Sequence, residues 1–446
     1  MPLPTSAAMP SDARRVAFVV LRRSFEQGAF TDRAFQSEAL ALEPRDRALA
    51  MRLAYGAVQR CATLDYLIEQ AAERPVARLD PVARAALRLG SYELTFTSDA
   101  AHAAVNDAVA LAQSSRGKGL VNAVLRRIAR DGAGLLAALD DSTPEGAATA
   151  HSLPRWIVDE WWAALGPAAA RALLGAVNEP AEHALRANEL LTSAQSLVQM
   201  LPVHATAPGD PPEAVVVQEP FDAHGSPFWA DGYFTPQSRA SMLPVRALDP
   251  QPGERALDMC AAPGAKTSQL AALMGNDGTI TAIERHPGRA RALEHNLRRM
   301  RVSIARVEVG DAGACAARSG RRFDRVLLDA PCSGLGTIQS RPDLRWRISP
   351  DRVQALAAEQ ARLLSEAART LAPGGTLVYS TCTISRPENE LQMQTFLDRN
   401  PELEPIDLTT RFPAWRSPAG GPWLLALPHV QGSDGFFVAA LRRREH

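Results

Sequence analysis

Two cysteines sit in short frames unlike a protein core. Cys332 lies in Asp329-Ala330-Pro331-Cys332-Ser333-Gly334, and Cys382 in Ser380-Thr381-Cys382-Thr383. Each frame follows a run that reads as a buried strand: Arg325-Val326-Leu327-Leu328 before the first, Thr376-Leu377-Val378-Tyr379 before the second. Open α/β sheets place their chemistry in loops at the carboxyl ends of parallel strands. Two thiols delivered there point to a nucleophile and a helper thiol working on one substrate. Asp329 either caps the turn before Pro331-Cys332 or gives a hydrogen bond or proton to a ring nitrogen. Of the 49 basic residues only Lys118 and Lys266 are lysines, and Lys266 is the candidate for neutralising charge in the same pocket. Cys61 and Cys315 read as small buried hydrophobes.

A third stretch supplies a candidate cofactor loop. Leu257-Asp258-Met259-Cys260-Ala261-Ala262-Pro263-Gly264-Ala265-Lys266-Thr267 reads as a strand end, a small-residue turn and a helix start. Small side chains let backbone approach a ligand, and a helix N-terminus offers unpaired N–H groups. The stretch matches neither the dinucleotide fingerprint nor the P-loop, which weakens dinucleotide and ATP readings. Glu284 ends the next strand, where an acid accepts hydrogen bonds from ribose hydroxyls. Asp311 follows the third strand and is placed to reach an adenine amino group. The alternative for each acid is an exposed group at a strand end.

Two thiols, an acid and a nucleoside-type cofactor suit pyrimidine chemistry. Carbon 5 of a pyrimidine is a poor nucleophile; thiolate addition at C6 makes it enamine-like, able to attack an activated methyl group. An acid near N3 stabilises the developing charge. A base then removes the C5 proton and β-elimination frees the first thiol. Spacing leaves open which of Cys332 and Cys382 attacks.

The elements that must position these residues are legible in the hydrophobic pattern. Residues from about 12 to 140 read as all-helical, with Val16, Val19, Val20 and Phe25 at helical spacing. The stretch 132–150 turns small and polar, as a linker would. An amphipathic helix is expected over 156–165, followed by short mixed elements. From about 250 strands and helices alternate. The strands are expected at 256–260, 279–284, 306–309, 325–329, 376–380 and 435–441, with helices over 287–300 and 351–371 between them. This pattern predicts a doubly wound, mainly parallel sheet with the last strand as an antiparallel edge.

Composition sets outer limits. The chain has 446 residues and a formal net charge of zero from 49 basic and 49 acidic groups, so bulk charge does not itself call for nucleic acid. Five scattered cysteines argue against a disulfide framework, and without a C-x-x-C pair a structural zinc site is not expected. No apolar run approaches the ~20 residues of a membrane span. A reduced, cytoplasmic, metal-free monomer away from membranes is the expectation.

The region from about 230 to 446 resembles the S-adenosylmethionine-dependent RNA cytosine-C5 methyltransferases. Asp258 to Thr267 is similar to their cofactor motif, Asp329 to Gly334 to their first cysteine motif, and Ser380 to Thr383 to their second. Supporting matches are Arg341-Pro-Asp-Leu-Arg-Trp346, Leu371-Ala-Pro-Gly-Gly375, Glu388-Asn-Glu390 and Asp434-Gly-Phe-Phe437. The resemblance implies that Cys382 is the nucleophile and that Cys332 assists release. It also implies cofactor contacts at Cys260, Ala261, Ala262, Pro263, Gly264, Ala265 and Lys266, then Glu284, Asp311 and Asp329. Ala265 stands where the family usually has glycine, Glu284 where it often has Asp, and Ser238 follows Gln237 where Asp is usual.

Residues about 12 to 135 resemble the NusB-type RNA-binding domain through Arg45-Asp-Arg47, Leu53-Ala-Tyr-Gly-Ala-Val58, Arg88-Leu-Gly-Ser-Tyr-Glu93 and Gly119 to Arg127. The expected architecture is therefore a NusB-like all-α domain (1–140), a linker and small α+β segment (141–240) and a Rossmann-like methyltransferase domain (241–446). The small segment carries Leu185-Arg-Ala-Asn188 and is expected to help grip RNA. The implied substrate is 16S rRNA, naked or in an early assembly intermediate, at cytosine 967. The rival expectations are a tRNA or another rRNA site, or a non-catalytic RNA-binding or antitermination scaffold.

Overall fold

The helices of the first half follow from their punctuation. Asp80 accepts the Val82 and Ala83 N–H groups and Pro81 occupies the first helical position, so Pro81–Phe96 starts there. Ser11 caps Asp12–Glu26 in the same way. The apolar faces of these helices and of Pro44–Gln59, Cys61–Ala72 and Lys118–Ala137 close on one core, in which Leu53, Leu64, Leu67, Ile68 and Leu125 are fully buried. In this computed structural model, which describes residues 10–98, 100–113, 117–320 and 322–445, the stretch expected as a linker is largely helical. Lys118–Ala137 runs through Gly132, and Pro144–Ala150, capped by Thr143, follows after six residues of coil and turn. The amphipathic helix expected over 156–165 is Arg155–Leu165.

The chain divides into two compact units, one of residues 1–178 with 340–347 and one of 179–339 with 348–446. The eight-residue excursion 340–347 is built into the helical unit by polar contacts. Arg345 is fully buried and donates to Asn178 Oδ1 (2.9 Å) and the Ser152 carbonyl (3.2 Å). Trp346 Nε1 donates to the Val58 carbonyl at 2.7 Å, and the Thr31 N–H to Asp343 Oδ2 at 3.1 Å. Burial, with Arg60 adding repulsion, lowers the Arg345 guanidinium to about 9.

The second unit holds two sheets. Strands β1 (Ala184–Ala187), β2 (Ala205–Thr206), β3 (Ala214–Val217) and β4 (Phe234–Pro236) pair antiparallel in the order β2-β3-β1-β4. The larger sheet contains β5 (Arg255–Asp258), β6 (Thr279–Glu284), β7 (Ala305–Val309), β8 (Phe323–Asp329), β9 (Leu371–Thr381), β10 (Leu403–Ile406), β11 (Leu424–Ala426) and β12 (Phe436–Arg443). Its order is β10-β12-β9-β8-β5-β6-β7, with β11 beside β12. The five strands β5 to β9 are parallel, and both faces of β9 are largely buried, as expected of a strand covered by helices. The last strand is antiparallel, as expected, but it is not an edge: β12 lies between β9 and β10. β10 and β11 lie in the long irregular stretch where the sequence pattern announced no strand, being only four and three residues long.

Candidate active site

The parallel sheet brings the predicted residues to one end. Asp329 closes β8 and Ser380 nearly closes β9, and the two are register partners. Ser380 Oγ donates to Asp329 Oδ1 at 2.8 Å, and Lys266 Nζ donates to Asp329 Oδ2 at 2.7 Å. Lys266 reaches there because it sits in the first turn of Ala265–Leu273, directly after the cofactor loop that follows β5. Its ammonium also lies 5.1 Å from the centre of the Phe436 ring, on the opening residue of β12. Asp329 is thus held by a cation and a hydroxyl, its two oxygens engaged from the sides of the two strands that flank β8.

The two thiols meet. Cys332 Sγ lies 3.3 Å from Cys382 Sγ, and both side chains are part-exposed. Hydrogen bonding to Cys382, burial and the nearby Glu388 charge push the Cys332 thiol well above its ordinary pKa. The remaining cysteines have other surroundings. Cys61 is buried and pushed up to about 12, chiefly by desolvation, and Cys315 is buried. Cys260 is pushed up by burial first and then by the charges of Asp258, Asp329 and Glu284. Cys61 and Cys315 are thus buried small side chains, as expected of them.

The cofactor loop has the shape that close backbone approach needs. Gly264 adopts φ +105°, and an ideal Cβ there would meet Leu293 Cδ1 at 2.7 Å, so this glycine is required by both conformation and space. Ala265 replaces a family glycine without conflict because it is the first residue of a helix, where its methyl costs nothing. Asp258 is buried and accepts from Thr267 Oγ1 at 2.7 Å; burial raises it to about 6. Glu284 is buried at the end of β6, takes the His286 N–H at 2.8 Å on Oε1, and has Arg289 Nη1 3.6 Å from Oε2. Arg289 Nη2 also donates to the Ala262 carbonyl at 2.7 Å, tying the loop to the acid. Asp311 caps Ala312–Ser319 through the Ala314 N–H and pairs with Arg362 at 2.9 Å. Partial burial opposes ionisation there, yet the Ala314 N–H and Arg362 outweigh it and hold the carboxyl below its ordinary range. A small-residue loop entering a helix, with a buried acid at the adjacent strand end, fits a nucleoside methyl donor.

Several contributors escaped sequence reading. Ser380, Phe436, Arg289 and the Glu388-Asn389 pair stood inside or near quoted motifs, but no spacing rule assigned them a contact. Arg186 and Asn188, in the segment expected to help grip RNA, are fully buried. Arg186 bonds Gln237 Oε1 (2.8 Å), Ser268 Oγ (2.7 Å) and the Ala265 carbonyl, and Asn188 bonds the Gly232 and Met300 carbonyls. Both side chains therefore serve the interior, and Arg186 braces the start of the cofactor helix.

Comparison with known proteins identifies the family. A family described as 16S rRNA methyltransferase RsmB/F matches residues 245–442, and the NusB family matches residues 11–130. The chain is 36% identical over 97% of its length, and 99% of the relative's, to a probable ribosomal RNA small subunit methyltransferase B of Synechocystis sp.. It is 31% identical over 97% of its length, and 98% of the relative's, to ribosomal RNA small subunit methyltransferase B of Vibrio cholerae. The crystal structure of the protein PH0851 superposes with a TM-score of 0.80 at 26% identity, over 98% of this chain and 99% of that one. A methyltransferase homologue from Pyrococcus horikoshii gives 0.60 at 32% identity, over 67% and 97%. With S-adenosylmethionine as its cofactor, a Rossmann-like sheet and a NusB-like domain ahead of it, the chain belongs to the RsmB/F family of 16S rRNA methyltransferases.

Proposed function

We propose that the protein methylates C5 of a cytosine in 16S rRNA, at position 967, through a covalent bond between Cys382 Sγ and C6. The observation that carries this reading is the 3.3 Å approach of Cys332 and Cys382 beside the Lys266–Asp329 pair. S-adenosylmethionine supplies a methyl group on a sulfonium centre, and residues Cys260 to Lys266 with Glu284, Asp311 and Asp329 would hold it.

The chain's own residues do the rest. Cys382 loses its proton to solvent and its thiolate bonds to C6, so the π electron pair of the C5–C6 bond becomes available at C5. N3 takes up a proton as negative charge develops there and donates it in a hydrogen bond to Asp329, which Ser380 and Lys266 hold in place. Lys266 offsets the negative charge gathered around Asp258 and Asp329. After C5 takes the methyl group, its proton leaves to a base, the C5=C6 bond re-forms and the C6–S bond breaks. Cys332, held protonated beside Cys382, assists this release. An rRNA substrate places the protein in the cytoplasm. Among the described residues no helix is long and apolar enough to cross a membrane and no His, Cys, Asp or Glu cluster could hold a metal.

Bisulfite mapping of 16S rRNA and tRNA from a deletion strain tests the substrate. Loss of one 16S cytosine mark, restored by the native gene and not by Cys382→Ala, is expected. A mark lost from tRNA alone, or restoration by Cys382→Ala, overturns the reading.

A further inference from the structure

Beyond the residues that touch the base, a pair of adjacent buried residues connects to both cysteine loops. Glu388 and Asn389 are fully buried, Glu388 closing the single 3-10 turn Arg386–Glu388 and Asn389 standing just before the helix Glu390–Arg399. Glu388 Oε1 accepts the Ser333 N–H at 2.9 Å, and Oε2 accepts Ser333 Oγ at 2.5 Å. Ser333 is the residue after Cys332. Gln360 Nε2 donates to Glu388 Oε1 at 3.0 Å and to the Pro331 carbonyl at 2.9 Å, on the other side of Cys332. Asn389 holds the second loop. Its Oδ1 accepts Thr381 Oγ1 at 2.6 Å and its Nδ2 donates to the Thr383 carbonyl at 2.9 Å, so both neighbours of Cys382 are fixed. A hydrogen bond of 2.8 Å between Ser333 Oγ and Thr383 Oγ1 joins the two halves. The backbone is anchored as well, since Tyr379 Oη donates to the Glu388 carbonyl at 2.6 Å.

We propose that Glu388 and Asn389 form a staple that positions the two thiols separately, Glu388 governing the loop of Cys332 and Asn389 the loop of Cys382. This rests on the covalent reading of the two cysteines given above. A buried carboxylate is costly to place in a protein interior unless its hydrogen bonds are satisfied. Here it accepts the Ser333 N–H, Ser333 Oγ and Gln360 Nε2, all on or beside the Cys332 loop, and Thr383 adds a bond from the Cys382 side. The short Asn side chain carries an acceptor and a donor on one amide, so it accepts from a hydroxyl and donates to a carbonyl at once. The negative charge of Glu388 near Cys332 also favours the protonated thiol there, which suits a group that acts in release and not in attack. Division of labour between adjacent residues follows: loosening one loop should impair departure of the RNA from the enzyme, and loosening the other should impair its capture.

The test runs six full-length proteins on 16S rRNA with S-adenosylmethionine: native, Cys332→Ala, Cys382→Ala, Glu388→Ala, Glu388→Gln and Asn389→Ala. Turnover, RNA-linked protein on a denaturing gel, and S-adenosylmethionine affinity are read for each. Glu388→Ala should lose at least tenfold in turnover and accumulate the RNA-linked band, as Cys332→Ala does. Glu388→Gln, which keeps one oxygen for the Ser333 N–H, should accumulate less. Asn389→Ala should lose at least tenfold in turnover with no band, as Cys382→Ala does. Cofactor affinity should stay within about twofold throughout. If the two cysteine variants behave as assigned while the Glu388 and Asn389 variants give the same gel pattern as each other, the staple is wrong. It is equally wrong if the Glu388→Gln and Asn389→Ala proteins lose cofactor affinity in step with turnover, because that marks a general structural role. If Cys332→Ala and Cys382→Ala exchange or lose their patterns, the covalent reading fails first, and the proposed division between Glu388 and Asn389 falls with it.

Discussion

Asp329 and Ser380 face each other across the parallel pairing of β8 and β9, and the Ser380 hydroxyl donates to Asp329 Oδ1 at 2.8 Å. This cross-strand bond lies at the residue where both strands give way to cysteine loops. It leaves Asp329 with one oxygen on Ser380 and the other on Lys266, and so fixes the orientation of the carboxyl.

Ser380→Ala removes that support and nothing else of size. A hydrogen bond to a charged group contributes about 1.5–3 kcal/mol, so kcat should fall roughly ten- to hundredfold. KM for S-adenosylmethionine should hold. Steady-state kinetics with the cofactor varied would reveal a loss confined to KM, which would place Ser380 outside the reacting centre.

Lys266→Met keeps the stem of the side chain and deletes its charge. Asp329 then loses its ion pair with Lys266, and the neighbouring carboxyl of Asp258 loses a compensating cation. A fall in kcat of about a hundredfold is expected from loss of one charged hydrogen bond at a reacting centre. Single-turnover methyl transfer measures it; a rate within threefold of native would show that Asp329 does not depend on the lysine.

Gly264→Ala places a methyl group against Leu293 and asks an L-residue to hold φ +105°. Left-handed strain costs on the order of 1–3 kcal/mol. The loop should shift and S-adenosylmethionine should bind roughly five- to a hundredfold more weakly. Isothermal titration calorimetry decides, and unchanged affinity would mean that the turn is free to relax.

Asp258 gives the fold a signature in pH. Its carboxyl is raised by burial from 3.8 to about 6, so between those values the folded chain holds a proton that the unfolded chain has released. Stability contributed by this group is full below about pH 4, declines as pH rises through 6, and is flat above. The span corresponds to roughly 3 kcal/mol. Asp258→Asn cannot ionise, so its stability relative to the native protein should shift in its favour by about that amount between pH 4 and pH 7. Urea unfolding at a series of pH values checks the shift; parallel curves would show that Asp258 ionises freely in the fold.

Some of this was open to sequence reading and some was not. The strands β5, β6, β7 and β8 and the two long helices between β6 and β9 were legible because hydrophobic periodicity reports local burial. The cysteine frames, the small-residue loop and Glu284 were legible because residue type and position relative to a strand end carry chemical meaning. The interior position of β12 was not, since strand order depends on which edge a returning chain can reach. The helical stretch Pro144–Ala150 was read as linker because its small residues carry weak periodicity, whereas its Thr143 cap and Pro144 start are visible only once the helix is there. The burial of Arg186 and Arg345 was likewise out of reach, because a charged residue is ordinarily outside and only specific partners bring it in.

The chain by itself therefore determined which chemistry is available: two thiols, a carboxyl, an ammonium and a donor loop, each at the end of a strand. Only the tertiary structure decided that the thiols stand 3.3 Å apart and that Glu388 and Asn389 grip one loop each. Cys332 and Cys382 are separated by fifty positions, and the pairing of β8 with β9 that brings them together is set by the packing of the whole sheet. No local preference of the backbone contains that distance.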